Sequence, residues 1–226
     1  MAEKPSRGTP RGAPECELAS GGEMTVERDP QGGLDNYRKI TSFKIEEAAL
    51  TLFAVRGVDA VTISEIVAKA GLSQRTFFRY FAAKDEIVLA FPRRSINRLA
   101  ASVLDRPIDE GPFVAAAAAF RTAHELNPEE ARIRNLWIEL TVRTKPPVFQ
   151  GEMVDALRHA ITDRLCRRRE DPSIAGPVAA TISALIWLSY SEWASQRGKI
   201  SLPDLLEQNI VRLIAFSSNS ASGKNV

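Results

Sequence analysis

The chain has 226 residues, 44% of them hydrophobic and 26% charged, with a formal charge of +2. It is long enough for one large domain or two modest ones, and so balanced a charge does not by itself announce a nucleic-acid partner. The two cysteines, Cys16 and Cys166, fit no metal spacing and no disulfide framework, which suits a reducing cytoplasm. No apolar run reaches the roughly 18 residues of a membrane span, and the N-terminus lacks the apolar core of a signal peptide, so the expectation is a cytoplasmic protein without a membrane partner.

Residues 1–36 are rich in Gly, Pro, Ser, Glu and Arg and nearly devoid of large apolar side chains. Such a stretch buries too little surface to offset its ordering entropy, and a disordered tail is expected. The first helix is expected to start at Thr41 or Ser42, either of which is a capping residue. Ile45, Ala48, Ala49, Leu52 and Phe53 then recur on one helical face, and Gly57 ends it. Thr62, with Glu65 three residues on, has the pattern of a capping box that opens a second helix. Gly71 and Leu72 make a turn, and Ser73 caps a third helix whose Phe77 and Phe81 point inward. Two short helices joined by a glycine turn form a helix-turn-helix, a shape that enters the major groove of DNA.

Charge agrees with that reading locally. Between Tyr37 and Arg106 stand twelve Lys and Arg against seven Asp and Glu, an excess of +5 on a near-neutral chain. At the start of the third helix, Gln74 is suited to adenine, Arg75 to guanine, and Thr76 offers a hydroxyl and a methyl. These three are the candidate base-reading residues. A solvated helix start is the plain alternative for Gln74 and Arg75. Lys44, Thr62, Ser64, Phe78, Arg79, Tyr80 and Lys84 are the candidates for phosphate or sugar, although Thr62 is also a cap.

From residue 83 onward the pattern stays helical, with helices expected at about 84–104, 110–125, 128–143, 147–169, 174–196 and 203–216. Prolines at 107, 128, 146, 147, 172 and 203 mark the breaks. Pro92 falls inside the fourth helix and predicts either a kink or two helices. No strand-like run appears, so the fold class is all-α.

The stretch from about Ser42 to Val88 resembles the DNA-binding domain of the TetR family of transcriptional regulators. The residues that carry the likeness are Ile45, Ala48-Ala49, Leu52-Phe53, Gly57, Thr62, Ile66-Val67, Ala70-Gly71-Leu72-Ser73, Thr76 through Phe81 and Lys84-Asp85-Glu86. The family usually has Tyr where Phe78 stands, and the hydroxyl of that Tyr binds phosphate, so the phosphate role passes to Tyr80 and Lys84. The resemblance implies an N-terminal three-helix helix-turn-helix domain at residues 37–91, a helical effector-binding and dimerisation domain at 92–217, and a polar tail at 218–226. It implies a homodimer on a palindromic double-stranded operator, released by a small apolar or acyl-type effector, with no cofactor and no catalysis. The C-terminal region is similar to family members that sense fatty acyl-CoA thioesters.

Phe120, Leu136, Trp137, Leu140, Phe149, Met153, Leu157, Trp187 and Tyr190 are the candidate effector pocket, with core packing the plainer role for any single one. His124 and His159 are candidates to orient a polar ligand group. Arg132, Arg134, Arg143 and the run Arg167-Arg168-Arg169 would attract an anion or form a solvated face. Two apolar helices, one with Ile182, Leu185, Ile186, Ser189 and Trp193, the other with Leu206, Ile210 and Leu213, are expected to pair across a two-fold axis. The competing functions are a helical scaffold, against which the prolines argue by breaking any heptad run, and an enzyme, for which no catalytic motif is present.

Overall fold

The computed structural model describes the backbone of residues 30–141 and 150–222, and side chains within 36–141 and 150–216. Nine α-helices are found among the described residues, in chain order α1 Pro30–Arg56, α2 Ile63–Ala70, α3 Gln74–Tyr80, α4 Asp85–Leu104, α5 Pro112–Ala123, α6 Pro128–Thr141, α7 Gln150–Arg168, α8 Ala175–Ser195 and α9 Leu202–Ser222. A single 3₁₀ turn, Pro172–Ile174, leads into α8, and no strand occurs among these residues.

Local chemistry sets most boundaries. Gly57 and Gly71 adopt left-handed backbone (φ 79° and 67°), which a side chain would strain, and they terminate α1 and α2. Thr62 and Glu65 form the full capping box, and Ser73 Oγ accepts from the Thr76 amide. Asn127 Oδ1 accepts the Glu130 amide at the start of α6, where Pro128 loses nothing by lacking an N–H.

The first helix departs from expectation. It begins at Pro30, not at Thr41 or Ser42, and so includes residues 30–36 of the expected tail. Thr41 and Ser42 lie mid-helix instead: the Thr41 hydroxyl donates to the Tyr37 carbonyl and that of Ser42 to Glu46. Tertiary contacts hold this early part in place. Lys39 pairs with Glu130 of α6 at 3.2 Å, and its ammonium lies 5.5 Å from the Phe43 ring. The C-terminal helix likewise runs to Ser222, past the expected start of the polar tail.

The head formed by α1–α3 packs around Ile45, Leu50, Phe53, Ile66 and Phe77, all fully buried. It is held to the rest of the molecule through α4 and α6. Arg94 of α4 makes a two-pronged bond to the fully buried carboxylate of Glu46 (2.7 and 2.8 Å) and stacks on Phe43. Arg98 meets Glu130 at 3.2 Å, and Arg132 meets Glu47 at 3.0 Å. Bidentate guanidinium–carboxylate pairs fix orientation as well as distance.

At the far end of α4, Arg164 of α7 is 3% exposed and has no carboxylate partner. It donates to the carbonyl of Val103, near the end of α4, and to those of Arg106, Pro107 and Glu110 in the loop that follows. The arginine run is also spent locally. Arg167 pairs with Asp163, while Arg168 pairs with Glu170 and donates to the Ile108 carbonyl.

Helix α8 together with its leading turn is long and apolar enough to cross a membrane, with a mean hydropathy of 1.4, where the sequence reading expected no such run. A core helix has the same composition. Here Ala175, Ala179, Ile182, Ile186 and Tyr190 are buried, and the helix packs against α7 and α9.

Candidate nucleic-acid interface and effector cavity

The third helix presents one polar face outward. Gln74, Arg75, Phe78 and Arg79 are exposed, Thr76 and Tyr80 are half-buried, and Phe77 anchors the helix from inside. Phe77 meets Phe81 at 5.9 Å and Phe78 edge-on at 5.4 Å, so the outward ring of Phe78 rests on the inward one. Gln74 Nε2 donates to Ser64 Oγ (2.8 Å), tying the starts of α2 and α3 into one surface. The Arg79 guanidinium lies 5.1 Å from the Tyr80 ring and donates to its hydroxyl. Arg38, Lys39 and Ser42 of α1 converge with Arg79 and Tyr80 on one open cleft beside the helix. Arg38, Arg79 and the Tyr80 hydroxyl in such a cleft suit a phosphate, whereas Lys39 is paired with Glu130 and Ser42 with Glu46; Lys44 is exposed on the same helix α1.

Two of the proposed phosphate ligands have other work. Lys84 Nζ donates to the carbonyls of Val58, Asp59 and Val61 at 2.8–3.0 Å, which uses all three ammonium protons on the loop between α1 and α2. Thr62 is committed to its capping box: its hydroxyl donates to Glu65 Oε2 and accepts the Glu65 amide. Hydrogen bonds from Arg56 and from Thr62 hold the Glu65 carboxyl at about 2, well below the usual range. Lys84 is therefore a brace for the head, a role invisible in sequence because its acceptors lie 23 to 26 residues back. Lys84→Met is expected to cost about 1–3 kcal/mol in urea unfolding, since it removes this donor from the part-buried Val61 carbonyl and leaves that of Val58 only the Val61 amide. Its salt dependence of DNA binding is expected to match wild type, whereas a lost phosphate contact lowers the log–log slope by about one per lysine.

A small apolar cavity lies in the second half of the molecule. Its walls are Phe91, Pro92, Ser95, Ile96 and Leu99 of α4, Phe120 of α5, Trp137 of α6, Met153 of α7, Ile186 and Tyr190 of α8, and His124 just past α5. Its free volume is about 20 Å³, room for roughly one water. Five rings crowd round it. Phe91–Trp137, Trp137–Tyr190 and Phe120–Tyr190 have centroids 5.6, 5.9 and 6.3 Å apart, and His124 lies 3.8 Å from Phe120.

The polar corner of the cavity is a single pair. His124 Nε2 and the Tyr190 hydroxyl are 3.0 Å apart, and His124 Nδ1 bonds the Phe120 carbonyl at 2.9 Å. Because Nδ1 must donate to that carbonyl, a neutral ring leaves Nε2 to accept from Tyr190. Burial pushes the imidazole down to about 4, and the positive charge of Arg134 and Arg98 adds to the effect. Burial raises the Tyr190 phenol, so both groups are neutral at pH 7.

Of the nine expected pocket residues, Phe120, Trp137, Met153 and Tyr190 line the cavity. Leu136, Leu140, Leu157 and Trp187 do not: Leu157 is sealed in the core, and Leu140 lines a separate open groove with Phe53 and Val55. Phe149 and Arg143 lie outside the described residues. Sequence reading named no residue of α4 among the pocket candidates, although Phe91, Pro92, Ser95, Ile96 and Leu99 form one wall. Arg134, half-buried, stacks at 5.6 Å from Trp193 rather than facing a ligand.

Of the expected dimer residues, Leu185 and Trp193 are half-buried and Leu213 is exposed. Ile182, Ile186, Ser189, Leu206 and Ile210 are buried within the protomer, where Asn209 also donates to Ser189. Among the described residues, the large apolar side chains that α8 and α9 leave exposed are Leu188, Val211, Leu213, Ile214 and Phe216. Only Leu213 belongs to both sets.

Residues 45–91 match the family model described as bacterial regulatory proteins, tetR family. The HTH-type transcriptional regulator TcmR of Streptomyces glaucescens is 35% identical over 95 residues, 41% of this chain and 42% of that protein. YvdT of Bacillus subtilis, described as an uncharacterized HTH-type transcriptional regulator, is 43% identical over 47 residues, 21% of this chain and 24% of its own. The chain spans less than half the length of these relatives. A crystal structure of an Aquifex aeolicus transcriptional regulator aligns over 78% of this chain and 99% of its own, with 18% identity and a TM-score of 0.47.

Proposed function

We propose, from the premise that this chain belongs to the TetR family of bacterial regulatory proteins through its residues 45–91, that it works as a homodimeric repressor on a palindromic operator in double-stranded DNA. The observation that carries the proposal is the outward face of α3, with Gln74, Arg75 and Thr76 on its first turn and the Arg38–Arg79 cleft beside it. Base-edge chemistry flanked by phosphate-binding cations is what sequence-specific contact requires.

Two heads are needed for a palindrome, and the exposed apolar residues of α8 and α9 supply a reason to dimerise. Leu188 (44% exposed) and Val211 (64%) would be covered in a four-helix pairing of the two helices with their symmetry mates. The cavity is the proposed effector site. No charged side chain lines it, and its polar side chains are the Ser95 hydroxyl and the neutral His124–Tyr190 pair, which favours an apolar or acyl-type ligand portion. The effector acts by binding the DNA-competent and DNA-released conformations with different affinity. Such a regulator works in the cytoplasm, alongside its DNA.

Selection of bound duplexes from a random pool at low salt is expected to enrich a two-fold-symmetric sequence whose half-sites lie about one helical turn, roughly 34–36 Å, apart. Failure to enrich any duplex ends this reading. Leu188→Glu is expected to give a folded monomer by light scattering that no longer retains the selected duplex; an unchanged dimer would remove α8 from the interface.

A further inference from the structure

Proline at position 92 has no N–H, and its ring presses on the carbonyl four residues earlier, which is that of Val88. A buried carbonyl deprived of its helical donor needs another. For Val88 a donor comes from outside the helix: Trp137 Nε1 of α6 donates to its oxygen at 2.8 Å. The indole is buried and packs against Phe91, the residue just before the proline.

The place of this bond gives it meaning. The family match of the DNA-binding head ends at residue 91. Val88 therefore sits in the last turn of the head, while Trp137 belongs to the domain that holds the cavity. Pro92 and Trp137 are moreover both walls of that cavity. A space for about one water admits no effector unless a wall moves, and two of the walls are the parts that create and fill the carbonyl gap.

We infer that Trp137 is a positioning residue for the DNA-binding head: its N–H fills the gap that Pro92 leaves at the Val88 carbonyl and so holds the first turns of α4 against α6. The inference rests on the proposed reading of α3. The missing proline N–H is what makes the head depend on Trp137. Restoring an N–H at position 92 gives Val88 an intrahelical donor and removes the dependence.

The test is a double-mutant cycle on the full-length protein, read as affinity for the duplex selected by wild type. Trp137→Phe keeps a ring and loses the N–H; it is expected to weaken binding about tenfold in the Pro92 background. In the Pro92→Ala background the same change is expected to alter affinity less than threefold. Equal losses in both backgrounds overturn the inference. Should Trp137→Phe lower the thermal midpoint so far that binding cannot be read, 3-benzothienyl-alanine at position 137 replaces the N–H by sulfur at nearly constant shape. The same tenfold loss is expected there, and wild-type affinity overturns the inference. In the free wild-type protein the Trp137 indole proton is expected to exchange slowly with solvent, and rapid exchange counts against the bond. The two readings fail separately. A wild-type protein that selects no duplex sinks the proposed function, whereas one that selects a duplex but shows no coupling between positions 92 and 137 sinks only this inference.

Discussion

Replacing Gln74 and Arg75 together by alanine is expected to weaken binding to the selected duplex by about a thousandfold, with the unfolding midpoint unchanged. Each good bidentate base contact discriminates by about 1–3 kcal/mol. Two contacts in each of two half-sites give about 4 kcal/mol at the lower bound, and every 1.4 kcal/mol is a factor of ten. Both side chains are exposed, and the one bond lost within the protein, Gln74 to Ser64, lies at the surface. Stability should therefore move by no more than about 0.5 kcal/mol. Arg79→Ala offers the contrast. As a phosphate contact it should weaken all duplexes alike and lower the salt slope, while a base contact changes which duplex is preferred. Wild-type affinity in the Gln74/Arg75 double variant would remove α3 as the reading element.

The head was legible because its instructions are local. A capping box spans four residues, a glycine turn two, and the inward residues Phe77 and Phe81 lie one turn apart, so neighbours in sequence settle neighbours in space. Prolines punctuated the remainder equally well. The helix expected at 174–196 is observed at 175–195, and the one expected at 128–143 starts at 128 and is helical through 141, its remaining two residues lying outside those described.

What failed to show in sequence depends on distant partners. Residues 30–40 carry little helical pattern of their own, and the pairing of Lys39 with Glu130 of α6 was not legible in the sequence. Helix α8 is apolar on nearly every side, so periodicity cannot say which of Ile186 and Leu188 faces the core; packing buries the first and leaves the second 44% exposed. The cavity was half legible for a related reason. Aromatic residues announce a ring cluster, but not that α4 supplies five of its eleven walls. Lys84 was misjudged because a cation near the DNA-facing head has an obvious partner in phosphate and a hidden one in three carbonyls.

Acid should destabilise the protein through His124 over a defined window. In the unfolded chain the imidazole titrates near its ordinary value of 6.5, while in the fold burial holds it at about 4. Between those values the unfolded state binds a proton that the folded state refuses. Stability is thus full above pH 6.5, falls as pH drops from 6.5 to 4, and is level below that. A displacement of that size corresponds to about 3 kcal/mol. Against the opposing effect of burial, Arg98 and Lys39 hold the Glu130 carboxyl below its usual range, so it too adds an acid dependence and the comparison must isolate the histidine. His124→Gln keeps a polar group in place, including an acceptor for the Tyr190 hydroxyl, but does not ionise near neutrality. Urea unfolding of both proteins at pH 7.5 and pH 4.5 is expected to show wild type losing about 2–3 kcal/mol more than the variant over that interval. Parallel losses would mean that the imidazole is already charged in the fold at pH 4.5. The polar corner of the cavity would then carry a cation, and a neutral ligand portion would no longer be its natural occupant.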